Sequence, residues 1–385
     1  TYKSGLPNAL ELKIGGLYRH KQRNNYQNQY NQFAVGGNNS IGSRQQFSDI
    51  YSARDSIINP NGSAVYDLND YQAFENVASG YGLVKLILFK QLDVVGGARM
   101  ESTTQGYHFL RLEYDAVDHV SKQYTDLLPS LSLKYRLDPL TNLRASYFKS
   151  LSRPGYYEVL PVSQALNSAG QTQKGNPDLQ HTTADNFDIR WEHFPTSDQQ
   201  IFVGGFYKKL QNPIELAYSG LDTFKPENSA SATIYGAEVI YSRFFGSFGV
   251  TGNYAYTHSD VNGKKIDPAT GQNTYQHRPL QGQPDHELNL SLEYRNEHRN
   301  FFVQLSYQYN GKTLYQINPD LGYDYYQQPQ SFLALSADKT LNKHWTLFGK
   351  FNNLLNTPTT IRIGQLLTGQ DYAKASGLIG IRYSH

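Results

Sequence analysis

The chain has 385 residues, 35 Lys and Arg against 33 Asp and Glu, no Cys and 38% apolar residues, at a mean hydropathy of −0.60. No stretch approaches the ~20 consecutive apolar residues of a transmembrane helix. A net charge of +2, widely dispersed, argues against nucleic acid as a partner, and the lack of Cys excludes a disulfide framework and a thiolate nucleophile.

With 31 Tyr, 32 Gly and a single Met, the composition favours strands and polar turns and predicts an all-β chain. Alternation of apolar and polar residues marks about fourteen strand-length segments. They fall at 9–19, 77–89, 92–106, 126–136, 142–152, 184–193, 200–209, 233–245, 248–258, 286–295, 301–311, 331–338, 345–354 and 375–384. Most have the ~9 to 11 residues that a tilted strand needs to cross a bilayer.

The faces separate because successive side chains alternate across a strand. In LNLSLEYR, Leu288, Leu290, Leu292 and Tyr294 oppose Asn289, Ser291, Glu293 and Arg295. In FFVQLSYQYN, Val303, Leu305, Tyr307 and Tyr309 oppose Gln304, Ser306, Gln308 and Asn310. A soluble sandwich can alternate in the same way, so the connections carry more weight. Short ones at 90–91, 246–247 and 296–300 alternate with long polar ones at 20–76, 153–183, 259–285 and 356–374.

That regularity predicts a transmembrane antiparallel up-and-down β-barrel, with tight periplasmic turns and long extracellular loops. Its outward face meets outer-membrane lipid, its Tyr excess supplies the interfacial girdles, and its inward face is polar. A propeller would repeat every ~40 to 50 residues, and no such repeat is present. The inward candidates for ligand contact are Arg144, Ser146, Glu238, Asn289, Glu293, Gln304 and Gln308. The alternative for each is ordinary hydration of a polar interior.

Several motifs read as structure. Ser152-Arg153-Pro154 ends a strand, because Pro cannot donate to a ladder; the other reading makes Arg153 a ligand contact at the barrel mouth. Gly175-Asn176-Pro177-Asp178 is turn chemistry, and NNLLNTP, 352–358, is a strand exit. The 11 His show no HExxH spacing. SDVNGKKIDPATGQN, 259–273, gathers Asp260, Asn262 and Asp267 but lacks the Gly and terminal Glu of a calcium loop, so it reads as a solvated turn-rich loop. No catalytic residue, metal site or cofactor is assigned, and the chain is read as something other than an enzyme.

Six segments, in order, resemble the barrel of TonB-dependent outer-membrane receptors, particularly those of Bacteroidota-type bacteria. They are VASGYGLVKLILFKQLDVVGGARMEST with Gly97, Arg99 and Glu101; LPSLSLKYRLDPLTNLRASYFKSLSRPGYYEVLP with GNPDLQHTTADNFDIRWEHFP; FYKKLQNPIE; YGAEVIYSRFF; RPLQGQPDHELNLSLEY; and FGKFNNLLNTP. The resemblance covers nearly the whole chain. It implies a location in the cell outer membrane, a barrel of about 22 strands filled by a plug, and TonB-energised uptake of a small-molecule or oligomeric nutrient ligand.

On that reading residues 1–385 are the C-terminal part of the barrel, the plug through which TonB acts is not in this chain, and the first strand should not pair with the last. Chains of this kind usually end in an aromatic, a place held here by His385. The alternative is a structural barrel that docks a surface-exposed lipoprotein without transport.

Overall fold

A computed structural model describes residues 2–3, 10–25, 31–34, 55–58, 71–109, 119–165, 171–220 and 223–384; the connection expected at 20–76 and the terminal His385 fall largely or wholly outside them. Among the described residues, fourteen strands of eight residues or more form one antiparallel sheet, the wall. They are β1 (Leu10–Asn25), β2 (Tyr71–Leu88), β3 (Leu92–Phe109), β4 (His119–Asp138), β5 (Thr141–Ser152), β6 (Thr182–Thr196) and β7 (Gln199–Gln211). The series continues with β8 (Ser231–Phe245), β9 (Phe248–Ile266), β10 (His286–Asn296), β11 (Phe301–Asn310), β12 (Gln330–Thr340), β13 (Trp345–Asn352) and β14 (Ser376–Tyr383).

Each strand pairs antiparallel with the next in sequence. Tyr2–Lys3 adds two residues to the free edge of β1, and Asn273–Arg278 pairs with the far end of β9. Among the described residues no ladder joins β1 to β14. Every one of the expected segments is a strand. The short turns also stand where expected: Phe89 and Lys90 hold φ of 53° and 59° between β2 and β3, and Gly246 holds 60° between β8 and β9.

The ladders fix the two faces. Leu131, Tyr147, Phe187, Tyr207 and Tyr235 are direct cross-strand neighbours in one row, all on the side left uncovered by protein. Rings meet along it, Tyr147 to Phe187 at 4.9 Å and Phe187 to Tyr207 at 6.3 Å. At the short-turn rim the same face carries Phe248 against Tyr294 at 4.9 Å and Trp345 against Tyr383 at 4.9 Å.

Between these two aromatic girdles lie Ile189, Val203, Val239, Leu292, Ile379 and Ile381, all exposed. Tyr256 and Phe248 on β9 are eight residues apart, roughly 26 Å along a strand. Tilt lowers that to a height of about 20 Å, comparable with the ~25 Å apolar band of an outer-membrane barrel.

Several strands run beyond their expected ends. β9 continues past His258 to Ile266; it stays paired with β8 as far as Val261, and from Val261 to Ile266 it pairs on its other side with Asn273–Arg278. Polar residues in a hairpin that leaves the membrane carry no apolar face, so this stretch reads as loop in the sequence. In its turn Asp267 accepts from the Ala269 N–H at 2.9 Å, while Asp260 meets His277 at 3.0 Å. These acids cap a turn and pair a His. Among the described residues no cluster of three His or acidic side chains could hold a metal ion.

The long loops are also built. Ser163–Ala165, Thr172–Lys174, Thr223–Asn228 and Ile214–Gly220 form one four-stranded sheet; Thr313–Gln316, Tyr325–Gln327, Thr359–Ile363 and Leu366–Asp371 form another. The two meet where the Tyr218 N–H donates to Ile317 O at 3.2 Å. The single helical turn Tyr156–Val159 brings Val159, Leu160 and Val162 onto Tyr71, Ala73, Tyr107 and Phe109. This small core sits on the polar face of β2 and β3, so folded loops roof that face at the long-loop rim.

Candidate functional site

The predicted contact residues fall in three places on the polar face. Arg144 and Glu238 line one hollow of 380 Å3, together with Ser132, Asp188, Arg190 and Lys208. Arg144 donates from Nε to Glu192 Oε1 at 2.7 Å, and Arg190 donates from Nη2 to Glu238 Oε1 at 2.7 Å. Glu238 reaches Arg190 across β7, where the intervening residue is Gly204. A Cβ there would stand 3.1 Å from both Cγ and Oε1 of Glu238, so a larger residue would close the path.

Asn289 and Gln308 face each other in register and line a second hollow of 300 Å3 with Asn253, Ser291, Ser306 and Phe332. Two same-face pairs further along, Glu293 and Gln304 are opposite neighbours, and Gln304 donates from Nε2 to Ser291 Oγ at 2.7 Å. With the Glu293 carboxylate at one end, these amides and hydroxyls form a hydrogen-bonding strip.

Arg153 stands apart at the long-loop rim. Its guanidinium pairs with Glu101 and donates from Nε to Thr103 Oγ1 at 3.1 Å, with 16% of its side chain exposed. The pair ties the exit of β5 to the wall, and Arg99 lies on the other side of Glu101. Thus the spacing Gly97, Arg99, Glu101 sets two charges on the polar face, and Glu101 becomes the anchor for the loop. Gly97 itself is a close approach: a Cβ would lie 2.3 Å from Gly82 O and 2.9 Å from Leu83 Cα.

The same loop covers a cavity of 400 Å3 lined by Tyr107, Lys122, Tyr124, Leu179 and His181, which the sequence did not suggest. Tyr124 and His181 stack at 3.9 Å with 9° between rings, His181 Nε2 meets Asp126 Oδ1 at 3.0 Å, and Lys122 donates to Leu179 O at 3.0 Å. Asn176 closes the turn beneath, accepting from the Asp178 N–H at 3.1 Å and donating to Pro226 O at 3.0 Å.

Two buried ion pairs hold the loops together, and both escaped sequence reasoning. Arg278 grips Glu215 through two bonds of 2.8 and 2.9 Å. Lys265, fully buried, donates to Asp324 Oδ1 at 2.5 Å and to Asn318 O at 2.6 Å. Burial alone would push the Glu215 carboxyl up. The Arg278 bonds and charge, with the Ser229 hydroxyl and the Gln281 N–H, outweigh it and hold that carboxyl below the ordinary range.

The geometry is that of a sheet with a girdled apolar face, a charged and hydrogen-bonding face, and a loop roof over the polar side. Comparisons agree. Residues 3–354 match the family described as TonB dependent receptor-like, beta-barrel. A comparison with curated protein sequences finds no match.

Among solved structures, the siderophore receptor PiuA from Acinetobacter baumannii is similar at 16% identity and a TM-score of 0.68, over 99% of this chain and 54% of that one. The ferric-catecholate import receptor Fiu from K12 E. coli is similar at 13% and 0.65, over 98% and 52%. The FrpB iron transporter from Neisseria meningitidis is similar at 15% and 0.59, over 99% and 53%. The chain spans about half the length of each, and at such identities the likeness is one of fold. With the family match over most of its length, the chain belongs to the TonB-dependent receptor β-barrel family and to the bacterial outer membrane.

Proposed function

We propose that this chain forms part of the wall of an outer-membrane receptor that takes up a nutrient ligand, energised by TonB through a plug seated against the polar face. The single observation that carries the reading is the roof. At the long-loop rim, paired loop strands and buried ion pairs cover a polar face that is otherwise open, as a ligand-capturing mouth requires. Three solved structures it resembles are described as a ferric-catecholate import receptor, a siderophore receptor and an iron transporter, so the ligand class we assign is an iron chelate. In this reading Arg144, Glu238, Asn289, Glu293, Gln304 and Gln308 line the route, and Arg153 holds the mouth in shape.

We also infer that further strands complete the wall. The described path ends at Tyr2–Lys3 on the edge of β1 and at β14 without joining, and an unpaired edge in hydrocarbon costs several kcal/mol per backbone group. The experiment is growth of a deletion strain on a ferric catecholate as sole iron source, complemented by the gene with and without functional TonB. The reading expects growth only when both are present. Growth that is independent of the gene would overturn it.

A further inference from the structure

Charge is spread unevenly along the short-turn rim. The turns at 89–91, 139–140, 197–198 and 246–247 hold Lys90 and Asp198, with Asp138 at the end of β4. The neighbouring turns 297–300 and 341–344 hold Arg299 and Lys343, and Lys339 stands beside them at the end of β12. Lys339 is in register with Phe301 and Leu347, which puts it on the lipid-facing side. Glu297 is the one acid in these two turns, and Asp338 belongs to the polar face, in register with Phe302 and Phe348. Arg243, also outward near this rim, lies over the Phe245 ring at 4.2 Å and has Asp198 beside it.

Both turns are fixed in shape. Asn296 Oδ1 accepts from the Arg299 N–H at 2.9 Å, and Asn342 Oδ1 accepts from the His344 and Trp345 N–H groups at 2.9 and 3.1 Å. They are also tied to each other, since the Thr340 N–H donates to Asn300 O at 3.0 Å and the Lys339 ammonium donates to Arg299 O. That contact spends one of three ammonium protons. Arg299 and Lys343 are exposed, and their side chains have no described partner. Beside the cations the rim is apolar: Leu341 is 58% exposed and Trp345 44%, and the Trp345 ring packs on Tyr383 at 4.9 Å.

We propose that these two turns form a docking surface for an anionic phospholipid of the periplasmic leaflet. Its phosphate sits among Arg299, Lys339 and Lys343, and its acyl chains lie against Leu341 and Trp345. Lys and Arg at a membrane surface attract anionic headgroups and give charge-assisted hydrogen bonds to phosphate oxygens, while an interfacial Trp turns its apolar ring toward the chains. A free phosphate would use the cations and leave the exposed Leu341 and Trp345 without a role, so the occupant is the lipid. The surface lies at the rim opposite the loop roof and off the polar face on which the plug is seated. It rests on the lipid-facing wall and is independent of what the receptor takes up.

The test uses the purified full-length receptor in detergent, titrated with dioleoylphosphatidylglycerol or dioleoylphosphatidylcholine while native mass spectrometry counts the lipid retained. The phosphatidylglycerol should be held about tenfold or more tighter than its zwitterionic counterpart. That preference should vanish when Arg299→Gln, Lys339→Gln and Lys343→Gln are combined, and persist in Lys90→Gln, which removes a cation from a distant short turn. Displacement of the lipid by an equal concentration of inorganic phosphate would assign the cations to a free anion and overturn the lipid reading.

Should the combined variant fail to fold, acetylation of the unaltered receptor serves in its place. Added phosphatidylglycerol should protect Lys343 from acetic anhydride more than it protects Lys90, and phosphatidylcholine should protect neither. Equal retention of the two lipids, a preference unchanged in the combined variant, or equal protection of Lys343 and Lys90 would overturn the proposal.

Discussion

Arg278 and Glu215, 63 residues apart in sequence, meet through two parallel hydrogen bonds of 2.8 and 2.9 Å, with 4% of each side chain exposed. One residue belongs to the return strand of the β9 hairpin and the other to a loop sheet. The contact therefore joins two loops that the chain itself does not connect. Removing one partner leaves the other charged and buried, which costs about 3 to 5 kcal/mol. Arg278→Gln should therefore loosen the roof and leave the wall folded. Limited proteolysis at 213–228 should accelerate, while the β-sheet circular dichroism and the unfolding midpoint of the wall in vesicles stay unchanged.

The same pair predicts an acid response. Glu215 is held below the ordinary carboxylate range, so its contribution is fully present above the unfolded value of ~4.3. It is lost as pH falls from there through the lower folded value. Pepsin cleavage within 213–228, followed as a function of pH, should rise below pH ~4.3 in the native protein. Glu215→Gln should show high cleavage without that step.

Gly97 on β3 admits no side chain, because a Cβ would lie 2.3 Å from a carbonyl oxygen of β2, whereas a Cβ at Gly80 meets nothing within 4 Å. Gly97→Ala should cost about 1 to 3 kcal/mol through forced displacement of the ladder. Gly80→Ala should be neutral or slightly stabilising, since it lowers the entropy of the unfolded chain. Urea unfolding in vesicles measures both.

Much of the wall was legible because its strands alternate. Leu288, Leu290 and Leu292 are apolar every second residue, and the sequence alone assigns them to one face. Register was not legible. That Arg144 stands opposite Arg190, or that Glu238 crosses Gly204 to reach it, depends on cross-strand pairing between segments dozens of residues apart. Arg190 and Lys208 were therefore missed, although each alternates inward on its own strand. The roof was missed for a different reason: Lys265, Glu215, Arg278 and Asp324 are polar residues in polar stretches, and nothing local announces that they are buried and paired.

Arg153 can be read as a ligand contact or as an anchor, and its pairing with Glu101 and Thr103 gives the anchor a specific consequence. Arg153→Gln leaves Glu101, itself buried, with only Arg99 beside it, and should release the segment from Pro154 to Ser163. Hydrogen exchange of the Glu158 and Leu160 amides should quicken by about tenfold or more, the equivalent of losing one charge-assisted bond. Unchanged exchange with weakened ligand binding would identify a contact instead.

One face of this sheet meets lipid and the other does not, and paired arginine substitutions on neighbouring residues tell the two faces apart. Leu290 and Asn289, like Leu305 and Gln304, are adjacent near mid-strand on β10 and β11 and point to opposite faces. In a refolding titration in phosphatidylcholine vesicles, Leu290→Arg and Leu305→Arg should each lower stability by about 2 to 4 kcal/mol, the cost of a cation near the bilayer midplane. Asn289→Arg and Gln304→Arg should each change it by under about 1 kcal/mol, since the polar face can hydrate the charge. Equal losses at both members of a pair, or the larger loss at Asn289 or Gln304, would contradict the assignment of faces and with it the membrane-spanning wall.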